Sequence, residues 1–115
     1  MVLTAILLFS LAAIVGLYMV FIGVRYHRGS LALGLGHAGI ASLALSLLVV
    51  DLFHERVRHM LYSDAAILFV LTLVGGLVLL ALREGRKPPP MIVVALHAAM
   101  ALFALFLLVL GYNHR

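Results

Sequence analysis

The chain has 115 residues, 66% of them hydrophobic and 10% charged, with a mean hydropathy of +1.27. A soluble domain of this size has too little interior to hide that much apolar surface, and a net charge of +4 in so apolar a chain marks loops, not a nucleic-acid-binding face. The absence of cysteine excludes disulfides, thiolate metal sites and a prosthetic group attached through C-x-x-C-H.

Four apolar runs occupy residues 2–24, 31–50, 65–82 and 91–110, each near the roughly 20 residues a helix needs to cross a bilayer. They are too long and unalternating for barrel strands. The first run lacks a positive n-region and a small-residue cleavage site, so it is expected to be a retained span. RYHRGS follows, with Gly29 closing one helix and Ser30 capping the next. The second connection, DLFHERVRHMLYSD, ends in Ser63 and Asp64, which are expected to cap the third helix. The third, REGRKPPP, carries three prolines, a residue tolerated in a helix only within its first turn. These runs predict an all-α fold, a polytopic membrane four-helix bundle forming a single transmembrane domain over residues 1–115.

The halves align without a gap on a shift of sixty residues. His37 meets His97, Gly16 meets Gly76, and His54 meets His114; Ala5, Phe9, Ala41, Ala44 and Leu48 meet Ala65, Phe69, Ala101, Ala104 and Leu108. Leucine and alanine matches are cheap in such a chain, whereas histidine and glycine matches in one frame are not. The bundle is read as two tandem-duplicated hairpins, repeat 1 over 1–60 and repeat 2 over 61–115. Arg25, Arg28, Arg83, Arg86 and Lys87 flank connections one and three, against Arg56, Arg58 and Arg115 on the opposite side. The positive-inside rule then places 25–30 and 83–90 in the cytoplasm and both termini outside, with a bacterial inner membrane as the expected location.

His37 and His97 lie within the second and fourth runs, and an ionisable group inside a span is a functional-site hypothesis by default. Each lies six residues into its run, about 9 Å along a helix, so two parallel helices present imidazoles at equal depth. Ala41 and Ala44 share a face with His37, as Ala101 and Ala104 do with His97, and small residues leave space for a bulky planar ligand or for close helix approach. Gly16 and Gly76 reach a similar depth on the antiparallel helices. Equal depth and small neighbours are what axial ligation of one flat macrocycle requires. Arg25, Arg28, Arg86 and Lys87, near the closer surface, could pair with its carboxylates or serve only as positive flanks.

His37, His97, Gly16 and Gly76 together resemble the cytochrome b core of the quinol–cytochrome c oxidoreductases, in which four helices enclose haem with histidines on the second and fourth and glycines on the first and third. The pattern is also similar to single-haem membrane anchors and haem A synthase-like bundles. The resemblance implies one non-covalent haem b with His37 and His97 as axial ligands, and electron relay between quinol or a donor protein and a partner redox protein. Such a chain would work in the lipid bilayer as a small subunit of a larger complex, not as a stand-alone enzyme. It departs from the family in lacking a second haem site: His54 and His114 fall 17 residues beyond the first pair, about 100° off its face, and with His59 they read as interfacial. Ser42, Ser46 and Thr72 could contact a quinone or bond back to their own helices. The alternatives are a haem-free structural or assembly subunit, and a metal or proton transporter built on the paired histidines.

Overall fold

The computed structural model describes residues 2–26, 31–54, 60–82 and 90–113. They form four helices, α1 Val2–Tyr26, α2 Leu31–Phe53, α3 Met60–Leu82 and α4 Met91–Asn113, all long and apolar enough to cross a membrane. In hydrocarbon an α-helix satisfies its backbone within one segment, which is why uninterrupted apolar runs of this length become helices. The described residues extend 43 Å along the bundle and 19 Å across it, enough to traverse a core about 30 Å thick. Large apolar side chains such as Leu7, Ile14, Phe21, Ile67, Ile92 and Phe106 point outward and give the bundle a lipid-facing surface.

Helix packing is square. Each helix contacts its hairpin partner and one helix of the other hairpin, while among the described residues the diagonal pairs α1/α3 and α2/α4 make no close backbone contact. The duplication thus becomes a pseudo-two-fold axis running along the bundle. Packing density differs between its ends. Around the starts of α1 and α3 and the ends of α2 and α4, Ala5, Ala65, Ala44 and Ala104 are wholly buried, with Leu48 and Leu108 below them. Alanine on all four helices lets the backbones draw together. Phe9 and Phe69 bound this closed half from the α1/α3 diagonal, their rings stacked with centroids 3.6 Å apart and planes within 2°.

Two boundaries differ from the sequence expectation. Helix α3 begins at Met60, so Ser63 and Asp64 are exposed residues inside it and not its caps. The reason is Tyr62, which is buried against Gly111 of α4 and carries the helix a turn beyond the start of the apolar run. Helix α2 likewise continues through Asp51, which is only 2% exposed, where the sequence placed a connection. At the start of α4 the carbonyl of Pro90 accepts from Val94 N, so Pro90 occupies the cap position immediately before the helix. Gly29 and Ser30 lie outside the described residues.

The aromatic stack couples the two repeats, and residues in direct contact typically show interaction energies of about 0.5–3 kcal/mol. Phe9→Leu and Phe69→Leu, measured singly and together by unfolding in detergent micelles, are expected to show a coupling energy in that range; strictly additive losses would contradict the pairing.

Candidate functional site

Above the aromatic stack the bundle opens. A cavity of about 250 Å³ lies between the hairpins, lined from all four helices and floored by Phe9 and Phe69. It runs towards Gly23 of α1, Leu33 of α2 and Met91 of α4, at the end of the bundle where Arg25 lies. Its lining repeats on the sixty-residue shift: Gly16 with Gly76, Ala41 with Ala101, Leu45 with Leu105.

His37 and His97 enter this cavity from the α2/α4 diagonal. Their ring centroids are 6.2 Å apart and the ring planes are inclined at 71°. Nδ1 of His37 lies 2.8 Å from the carbonyl oxygen of Ala12. A carbonyl only accepts, so Nδ1 is the donor and carries the proton, which leaves Nε2 of the neutral ring with its lone pair. Metal-bound imidazoles are commonly oriented by such a bond from their second nitrogen.

The glycines act directly on the imidazoles. A Cβ on Gly16 would stand 3.1 Å from Cε1 of His37, and one on Gly76 3.1 Å from Cε1 of His97. Each histidine is thus seated in a notch on its own hairpin partner, which holds it at the depth of the cavity.

The second histidine breaks the symmetry. Thr72 stands where repeat 1 has Ala12, and its backbone lies beside His97. The approach falls short of hydrogen-bond geometry, and Nδ1 of His97 is buried without a partner. Thr72 Oγ1 donates to its own helix at Leu68 O, 2.7 Å away. Among the described residues the only polar ones in the cavity lining are the two histidines and Thr72, so the imidazoles are its uncommitted polar groups.

The other candidate residues separate clearly. Ala41 and Ala101 line the cavity, but Ala44 and Ala104 do not; they belong to the closed alanine layer below it. All four lie on the histidine faces of their helices, but the floor of Phe9 and Phe69 cuts that strip in two. Arg25 is exposed at the end of α1 and outside the cavity lining; Arg28, Arg86 and Lys87 lie outside the described residues. Ser46 Oγ donates to Ser42 O at 2.8 Å, so it and Thr72 both bond back along their helices. His54 is exposed and its Nδ1 closes the end of α2 on Val50 O at 2.9 Å; His59 and His114 lie outside the described residues. The residues that the sequence did not point to are Phe9, Phe69 and the Ala12 carbonyl. The aromatics were present in the repeat alignment, whereas a backbone acceptor leaves no trace in side-chain identity.

No known protein family, curated protein or solved structure matches the chain.

Filling either notch is expected to displace its histidine. Gly16→Val should break the His37–Ala12 bond, costing about 1 kcal/mol or more of stability once a buried donor loses its partner, and should shift the His37 ring-nitrogen resonances in NMR. An unchanged His37 spectrum would remove Gly16 from the site.

Proposed function

We propose that the chain is a membrane-embedded b-type cytochrome that holds one haem between His37 and His97 and relays electrons within the bilayer. The observation that carries this reading is the facing pair of imidazoles. Their ring centroids are 6.2 Å apart across one apolar cavity, so His37 and His97 would be the residues to hold a metal-centred group placed between the hairpins.

The donor set and the cavity agree with a macrocycle better than with a bare ion. Among the described residues no cluster of three or more His, Cys, Asp or Glu side chains could hold a metal, so an ion would be two ligands short of a tetrahedral shell. A porphyrin would bring nitrogen donors of its own, leaving only His37 and His97 to be supplied by the chain. The apolar walls would bury its faces and exclude water, and the open end would place its carboxylates near Arg25, with Arg28, Arg86 and Lys87 close in sequence to the same side.

When bound, the haem supplies a one-electron couple, and bis-histidine ligation favours electron transfer over substrate chemistry. The chain's own residues orient the site: the Ala12 carbonyl fixes the His37 tautomer, Gly16 and Gly76 set the depth of the rings, and Phe9 and Phe69 shut the cavity off from the other side. The reading makes it a subunit passing electrons from quinol or a donor protein to a partner redox protein, in a bacterial inner membrane. The His37–Ala12 bond also satisfies a buried neutral histidine with no cofactor, and that favours, as the second reading, a structural or assembly subunit.

A dithionite-reduced minus oxidised spectrum of protein expressed with ample haem is expected to show a sharp b-type α-band, lost in both His37→Ala and His97→Ala. A wild-type protein without haem leaves the structural reading. Orientation is checked separately. In this cysteine-free chain, Ser30→Cys should be protected from an impermeant thiol reagent in right-side-out vesicles and Ser63→Cys should react; the reverse pattern would invert the topology.

A further inference from the structure

The two imidazoles match in position but not in how they are anchored. His37 is fixed through Nδ1 to the Ala12 carbonyl at 2.8 Å, whereas the corresponding nitrogen of His97 is buried and unbonded. The helix wall differs as well. Repeat 1 has Val15 before Gly16, but repeat 2 has Gly75 before Gly76. A Cβ on Gly75 would meet His97 Nδ1 at 3.6 Å and Met100 Cε at 3.8 Å, so an ordinary contact is missing where its counterpart residue carries a side chain. His97 therefore lacks the hydrogen bond that holds its partner, and Gly75 leaves open the space beside its Nδ1.

Resting on the cytochrome reading, we propose that His97 is a displaceable axial ligand and His37 the permanent one, so that the His97 side of the cavity is a binding site for a small neutral molecule of the carbon monoxide class. A bond from Nδ1 to an acceptor orients an imidazole and raises its basicity, and losing such a partner typically weakens metal binding about 10–100-fold. Exchange at this side is simple substitution: Nε2 of His97 leaves with its lone pair, the carbon lone pair of carbon monoxide takes its place, and no proton or electron is transferred. The cavity around His97, walled by Ala98, Ala101 and Leu102, is where the incoming molecule would lodge.

The test uses the full-length haem-loaded protein with carbon monoxide as probe. The reduced wild type is expected to form a carbon monoxide adduct, while His97→Ala retains haem in a high-spin form and binds the probe readily. His37→Ala should retain haem about tenfold or more less well than His97→Ala. Gly75→Ala restores the missing contact without crowding and is expected to lower the rate of adduct formation severalfold, a readout independent of whether either alanine variant folds. Equal haem retention in the two histidine variants, or a Gly75→Ala rate equal to wild type, overturns the assignment while leaving a bis-histidine cytochrome intact. A wild type that binds no haem overturns the cytochrome reading and this inference with it.

Discussion

The stack of Phe9 on Phe69 is the contact around which the bundle is organised. It is the place where the diagonal helices α1 and α3 meet, through rings 3.6 Å apart where their backbones stay separate. Below it, alanine at matched positions on four helices permits close approach and a solid core. Above it, the space between the hairpins is left to two imidazoles. A bundle of small residues throughout would have closed along its whole length; a pair of flat rings at mid-height makes one half a scaffold and the other a container.

Duplication explains why opposite walls of that container mirror each other. Two copies of a hairpin related by an axis along the membrane normal present each feature twice, at the same depth and from opposite sides. A single histidine per repeat becomes a facing pair, and a single glycine per repeat becomes two notches. Departures from the repeat are then the informative positions. Thr72 for Ala12 and Gly75 for Val15 fall beside one histidine and not the other, and Gly111 for Asp51 opens the space that Tyr62 fills. Substitutions of this kind turn a symmetric frame into an asymmetric site without moving a helix.

The membrane sets the cost of every polar group. Hydroxyls of Ser10, Ser46 and Thr72 return to carbonyls four residues back, which satisfies them without a partner helix. Asp51 is buried near the end of α2, within reach of the interface and not at mid-span. Among the described residues the histidines alone carry uncommitted polar atoms into the cavity, and an intramembrane imidazole facing a cavity signals function more than packing.

Much of this was legible in the chain itself. Four spans, a sixty-residue repeat, paired histidines and paired glycines follow from composition and register, because hydrocarbon admits few ways to satisfy a backbone and a duplication repeats its marks in order. Other details were not. The sequence grouped Ala44 and Ala104 with Ala41 and Ala101, because all lie on the histidine face, but only packing shows that an aromatic floor passes between them. It placed Ser63, Asp64 and Asp51 in a connection, because charge marks the end of an apolar run, whereas Tyr62 and Gly111 extend the contact past that mark. It offered no sign of the Ala12 acceptor, since a carbonyl belongs to every residue. Helices that are apolar all round carry no phase to say which side turns inward. That choice, and with it the cavity, the facing rings and the difference between two identical side chains, was made only when the four helices packed.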